Sequence, residues 1–209
     1  AACDRLLKVD NRGLKAVNGF GQMMIATRHG NFAVKKGDKL AGTRIIPLVI
    51  EEEKMEAAKK AAAEATGGCP ILELKPFLHK KVGIVTTGNE VFYGRIKDTF
   101  TPVIRGKLSE FDTEVIDHVT WNDDDTKVTA SILDMIQKGA DVVVCTGGMS
   151  VDPDDKTPLA IRNTGADIVS YGAPVLPGAM FLLAYYQVKD GENPRTVAIM
   201  GLPGCVMYA

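Results

Sequence analysis

Nothing in these 209 residues pairs cysteines: Cys3, Cys69, Cys145 and Cys205 stand far apart, with no C-x-x-C spacing. That excludes a disulfide framework or a zinc ribbon and favours free thiols in a reducing compartment. His29, His79 and His118 are isolated, which leaves a zinc site without ligands. Charge of one sign is also missing. A formal net charge of −1 gives no general attraction to nucleic acid or to an anionic membrane, so neither is expected as a partner. Any anionic ligand must be held by local geometry. Long hydrophobic runs are absent as well: Ala179 to Tyr186 is the most apolar stretch and is too short to span a bilayer. With no signal peptide in view, the expected location is cytoplasmic. The chain begins at Ala1 without methionine and stops at Ala209 in an apolar segment, so it is read as a fragment with its C-terminus truncated.

What is present is an ordinary globular composition, 45% hydrophobic and 24% charged, around one conspicuous stretch, Asp141 to Asp155. Val142 to Val144 is an unalternating β-branched run, as expected of a strand buried on both faces. It leads into Thr146-Gly147-Gly148, where the backbone can bend with no Cβ in the way. Ser150 follows, then Asp152, Asp154 and Asp155. A strand, a glycine turn, hydroxyls and carboxylates suit a phosphorylated ligand with a hard cation. An ordinary strand-to-helix loop is the plainer reading of a lone Gly-Gly.

Three regions are expected. Residues 1–50 read as a small strand-rich unit, with strands at Leu6–Val9, Met23–Thr27 and Thr43–Ile50, and a short helix around Leu14–Val17. Val34 to Leu40 reads as two strand ends joined at a glycine turn. Residues 51–79 form a helical connector and linker, the helix running over Glu51–Ala65 until Gly67-Gly68 stops it. From residue 80 to 209, short apolar strands alternate with amphipathic helices. The strands are Val82–Thr86, Glu114–Val119 and Val142–Cys145. The helices run from about Pro102 to Phe111, with Thr101 as its cap, from Asn122–Asp125 to Lys138, and from Thr157-Pro158 to Gly165. A strand at Ile168–Tyr171 and a hairpin of Met180–Gln187 with Thr196–Met200 complete the set. The fold class is α/β, a doubly wound, mostly parallel sheet with helices on both faces.

In such a sheet ligands sit beyond the carboxyl ends of the strands. A parallel topology gathers Thr87, Gly88, Glu90, Asp98, Asp123, Thr146, Gly147, Gly148, Ser150 and Asp155 there, with Pro177, Gly178, Pro203 and Gly204 on loops nearby. Asp123 and its neighbours also suit helix capping, and Glu90 suits an exposed loop. Asp98 is left for a ligand, because Thr101-Pro102 already starts its helix.

Thr86-Thr-Gly-Asn-Glu90, Gly94-Arg-Ile-Lys-Asp98-Thr, Thr146-Gly-Gly-Met-Ser-Val-Asp-Pro-Asp-Asp155 and Gly201-Leu-Pro-Gly204 resemble, in order and spacing, the molybdopterin-binding domain of molybdenum-cofactor biosynthesis proteins. The likeness runs from about Lys81 to Ala209 and is strongest to the molybdotransferase branch. It implies that Thr146, Gly147, Gly148 and Ser150 hold molybdopterin or its adenylylated form. It also implies that Glu90, Asp123 and Asp155, with Asp98 beside them, serve Mg²⁺ and molybdate as metal-site and catalytic acids. A homo-oligomer is implied too, since such domains assemble as dimers or trimers.

The family's Lys-Pro-Gly-Lys-Pro segment is Leu176-Pro-Gly-Ala-Met180 here, without either lysine, and its Leu-Pro-Gly-Asn-Pro is Leu202-Pro-Gly-Cys-Val206. Three functions therefore stay open. The first is a molybdopterin-binding protein that inserts molybdate. The second is a non-catalytic carrier or chaperone for a molybdoenzyme. The third is a nucleotide pyrophosphatase like the competence-damage proteins, suggested by Pro153-Asp-Asp-Lys-Thr157.

Overall fold

The computed structural model describes residues 1–150, 155–189 and 194–207. Asp152 and Asp154 of the acidic run lie outside the described residues, as does most of the Lys189–Arg195 connection. The chain divides into two compact units, Ala1–Phe77 and Leu78–Ala209.

In the first unit, β1 (Arg5–Val9) is the central strand of a three-stranded antiparallel sheet between β3 (Phe32–Val34) and β5 (Leu72–Lys75). A separate ribbon pairs β2 (Met23–Thr27) with β4 (Ala41–Ile45). Helix α1 (Asn11–Asn18) starts at Asp10, whose carboxylate accepts the amides of Arg12 and Gly13. Helix α2 (Glu52–Thr66) ends at Gly67 in the left-handed conformation. Val17 of α1, Met23 of β2 and Ala58 of α2 share a small core. Two expectations fail here. Residues 34–40 make no hairpin, because β3 pairs with β1 and β4 with β2; the Gly37 turn simply hands the chain from one sheet to the other. The strand expected over Thr43–Ile50 stops at Ile45, just before Ile46-Pro47, where proline has no amide to donate to a ladder. Strand β5 was not expected. Its four residues become a strand only by pairing with β1, more than sixty positions earlier.

The second unit carries a six-stranded sheet in the order β7-β6-β8-β11-β10-β9. Strands β6 (Lys80–Thr87), β7 (Thr113–Trp121), β8 (Val142–Thr146) and β11 (Arg195–Leu202) are mutually parallel. Strands β10 (Leu182–Val188) and β9 (Asp167–Tyr171) extend the sheet antiparallel. Alternation along each strand assigns its two faces. Val82, Ile84 and Val144 meet Ile104 of α4 (Phe100–Leu108) on one side. Val85, Val143 and Cys145 meet Val128, Ile132 and Met135 of α5 (Asp125–Gln137) and Ile161 of α6 (Thr157–Asn163) on the other. Helices thus cover both faces, as expected for a doubly wound α/β sheet. Gly83 allows α5 close to the sheet: a methyl there would lie 3.0 Å from Met135 Cβ and closer to its sulfur. Cys145 is fully buried, and burial pushes its thiol up to about 12, so it serves as a small apolar residue.

Helix α4 begins before the expected Thr101-Pro102 start. The Asp98 carboxylate accepts the amides of Phe100 and Thr101 and so caps it. The expectation that Thr101 caps and leaves Asp98 for a ligand is corrected. Thr101 is buried, and its hydroxyl points inward to other partners.

Candidate functional site

The parallel strands end at Thr87, Trp121, Thr146 and Leu202. Thr86 is in register with Thr120 and Thr146, and Leu202 with Thr146. Tyr171 and Gly201 both face Leu182, so the 172–181 loop that carries Pro177 and Gly178 leaves the same edge. One edge of the sheet therefore collects the expected loops.

At its centre the chain passes through Gly147 and Gly148 with φ of +82° and +52°. The crowding there comes from the protein itself. A methyl on Gly147 would lie 2.9 Å from the Thr87 carbonyl carbon and nearer still to its oxygen; one on Gly148 would lie 3.0 Å from Thr157 Oγ1. The Thr157 hydroxyl donates to the Gly147 carbonyl at 2.8 Å, and the Thr87 hydroxyl reaches the Thr146 carbonyl at 3.3 Å. The two hydroxyls lie 3.0 Å apart. Met149 is buried and packs over Gly201, where a methyl would come within 2.6 Å of its Cε. The loop is thus held by its carbonyls and by one side chain. Its amides are left over: among the described residues, neither Gly148 nor Met149 donates a backbone hydrogen bond. Successive amides in a left-handed turn form an anion-binding concavity.

Asp155 closes the loop from the far side. Its Oδ2 accepts the Ser150 amide at 2.6 Å and the Ser150 hydroxyl at 2.7 Å. The other expected acids do different work. Asp98 caps α4, with Oδ2 3.9 Å from His118 Nε2. Asp124 caps α5 through the Lys127 amide, leaving the neighbouring Asp123 outside that bond. Glu90 sits exposed in the short helix α3 (Asn89–Phe92), and its carbonyl accepts the amides of Arg95 and Ile96. Among the described residues no three His, Cys, Asp or Glu side chains converge as a metal site. Glu90, Asp98, Asp123 and Asp155 share an edge without forming a cage, so this structure does not bring the expected Mg²⁺ ligands together. A phosphate fits better. Its partners would be the loop amides left without an acceptor among the described residues. Asn122 Oδ1, buried at the end of β7 with no partner among the described residues, is an acceptor and suits a hydrogen-bond donor rather than an anion. Pro203 follows the end of β11, and Gly204 opens a single 3-10 turn beside Phe100. A cleft of about 710 Å³ lies away from this loop, lined by Ile136, Tyr186 and Arg195 near the amino end of β11.

Beneath the loop lies a polar layer that the sequence did not reveal. Thr86 Oγ1, Thr101 Oγ1 and His118 Nε2 are mutually 3.1 Å apart, and the Thr146 hydroxyl reaches Thr86 at 3.4 Å. Only the alternation that turns Thr86 and His118 to the α4 face hinted at it. Desolvation lowers the His118 pKa, with Asp98 opposing and Arg105 assisting. Desolvation raises Asp98, but hydrogen bonds from Thr101 and Phe100 and the His118 charge outweigh it, leaving its pKa low. A histidine depressed in the native state contributes full stability above its unfolded pKa near 6.5, and that contribution falls as pH drops towards the folded value. Exposed His79, raised by its hydrogen bond to Asp112, runs in the opposite sense. The difference between wild type and His118→Gln isolates this half-buried group. Urea midpoints should fall from pH 7.5 to 5.5 more steeply in wild type than in the variant; parallel slopes would remove His118 from this role.

A family model described as a probable molybdopterin binding domain matches residues 83–209. The chain is 32% identical over 90 residues to a CinA-like protein of Mycobacterium tuberculosis, covering 43% of this chain and 21% of that one. It is 36% identical over 81 residues to a CinA-like protein of Syntrophus aciditrophicus, covering 39% and 19%. The matches thus span about a fifth of the length of these curated relatives. Among solved structures, the tungsten cofactor synthesizing protein MoaB from Pyrococcus furiosus superimposes with a TM-score of 0.51 at 25% identity, covering 64% of this chain and 86% of that one.

Proposed function

Since the chain belongs to the probable molybdopterin binding domain family of molybdenum-cofactor biosynthesis, we propose that it binds the pterin phosphate on the Gly147-Gly148 loop and serves molybdate insertion. The observation that carries this reading is the loop itself. Its carbonyls and the Met149 side chain are tied into the fold, while the Gly148 and Met149 amides have no partner among the described residues. Amides fixed in this way neutralise an anion without paying to reorganise. Thr146 and Ser150 flank the loop, and Asp155 sets its shape through Ser150. Molybdate is the substrate in this reading. Mg²⁺ commonly binds through one or two carboxylates together with ligand phosphate oxygens, so it needs no closed cage, and Asp155, bonded to Ser150 beside the loop, is the residue assigned to it in this reading. Pro177-Gly178 and Pro203-Gly204 border the ligand from β9 and β11. A second copy of the chain and a recipient molybdoenzyme are the partners proposed.

The test is anaerobic equilibrium binding of molybdopterin to the purified chain, followed by molybdate and Mg²⁺ and a count of molybdenum retained on gel filtration. Binding with molybdenum gained only when both are added is expected. Asp155→Ala should weaken pterin binding about tenfold, because charge-assisted hydrogen bonds of about 1.5–3 kcal/mol that shape the loop are lost. Tight binding that never gains molybdenum favours the carrier instead. The CinA-like relatives support a second reading, a divalent-dependent nucleotide pyrophosphatase, since the similarity to them spans 43% of the chain. Cleavage of ADP-ribose by the chain would select it.

A further inference from the structure

Beside the loop, on the same strand ends, is an aromatic cluster that phosphate binding does not use. Trp121, the sole tryptophan, closes β7 and donates its indole N–H to Ser131 Oγ at 2.7 Å. Phe92 stacks on it with centroids 6.0 Å apart and planes 27° from parallel. Tyr93 stands edge-on to Phe92 at 5.2 Å. Phe92 and Tyr93 remain 39% and 61% exposed, a large apolar area to leave in water at a ligand-facing edge. Cations flank the rings: Arg95 lies 5.9 Å from the Tyr93 centroid and Lys127 5.5 Å from that of Trp121. Lys127 is also 3.5 Å from Asp124, whereas no carboxylate pairs with Arg95 among the described residues.

The cluster is tied to the phosphate loop through a few bonds. The Phe92 amide donates to the Gly88 carbonyl at 3.0 Å, and the Gly88 amide to the Trp121 carbonyl at 3.1 Å. Gly88 follows Thr87, whose carbonyl abuts Gly147. One helical turn, about 5.4 Å of rise, separates Gly88 from Phe92. Phe92 therefore stands about one helical turn from the strand end against which Gly147 packs, close enough for one small molecule bearing a ring and a phosphate to reach both. The site needs a ring contact. Phosphate contacts alone cannot tell one phosphorylated metabolite from another, whereas stacking on an aromatic face selects planar bases.

We infer that Phe92, backed by Trp121 and bordered by Tyr93 and Arg95, is a stacking subsite for the planar nitrogen heterocycle of the ligand whose phosphate occupies the Gly147-Gly148 loop. This rests on the phosphate-loop reading and adds to it the residues that recognise the ring. Adenine and pterin share the required chemistry, a flat nitrogen heterocycle with a face that can stack. Trp121, directly beneath Phe92, reports occupancy through its fluorescence, with no other tryptophan to obscure it.

The experiment titrates the full chain with AMP, with 6-hydroxymethylpterin phosphate and with ribose 5-phosphate, following Trp121 emission and, in parallel, calorimetric binding. At least one ring-bearing ligand should change the emission and bind more tightly than ribose 5-phosphate, and which of the two does so identifies the ring. Phe92→Ala should weaken that ligand about tenfold while leaving ribose 5-phosphate within twofold, and Phe92→Tyr should restore affinity. Retained ribose 5-phosphate binding also shows that the Ala variant is folded at the site. If ring-bearing ligands bind no better than ribose 5-phosphate, or Phe92→Ala leaves them unaffected, the subsite is wrong and the phosphate loop stands. If none of the three ligands binds, both fall together.

Discussion

Gly147→Ala is expected to destabilise the α/β unit by about 3 kcal/mol or more and to abolish ligand binding at the loop. Two costs combine. The first is conformational, since φ of +82° is a left-handed position that an L side chain occupies at about 1–2 kcal/mol. The second is steric: the new methyl would overlap the Thr87 carbonyl, a backbone group at the end of β6 where Thr87 pairs with Trp121 of β7. Gly165→Ala separates the two, because Gly165 has the same φ of +82° and nothing within 4 Å of its would-be Cβ. It should lose only the conformational part, about 1–2 kcal/mol. Urea unfolding followed by far-UV circular dichroism measures both variants. Equal losses would mean that the close approach of the loop to Thr87 carries no energy, and the account of the loop would then be wrong.

Met149→Ala should cost about 3 kcal/mol, in the usual range for emptying a buried methionine site. Met149 is 4% exposed and sits against Gly201, in the core shared by Leu182, Ile199 and Cys145. It is the side chain that clamps a glycine turn to β11. Truncation therefore removes packing and frees the amides on either side, and phosphate affinity should fall with stability. Met149→Leu, nearly conserving volume, should cost less than about 1.5 kcal/mol and keep binding. Proton exchange at the Ser150 amide, which is bonded to Asp155, distinguishes the effects: faster exchange in the Ala variant than its global loss explains marks a loosened loop. A stability loss with unchanged binding would make Met149 a core residue and nothing more.

Met149 also illustrates what sequence reading misses. In the sequence it is the residue between Gly148 and Ser150, one step from a ligand loop; in the fold it is the plug that holds that loop down. Thr157 was read as the start of α6, which it is, but its hydroxyl also holds the Gly147 carbonyl. The sequence leaves Asp98 as a free acid, because Thr101-Pro102 supplies a complete helix start. Thr101 instead turns its hydroxyl to Thr86 and His118, and Asp98 takes the amides. Phe92 and Trp121 are 29 positions apart and meet only because β6 and β7 lie side by side.

By itself the sequence determined the local elements of the α/β unit, its sheet-and-helix grammar, its family likeness and the loops that gather at one edge. Those follow from short-range causes: apolar period, glycine and proline positions, and the rule that parallel strands present their carboxyl ends together. Tertiary structure alone decided which strands pair in the first unit, which hydroxyl or carboxylate each backbone group uses, and that the four acids share an edge without converging. Each of these is settled by distances between residues far apart in the chain, and a one-dimensional pattern carries no information about distances a few tenths of an ångström wide. The glycines of the central loop changed meaning for that reason. Their lack of side chains is required first by Thr87 and Thr157, and the amides left without a partner among the described residues follow from that packing.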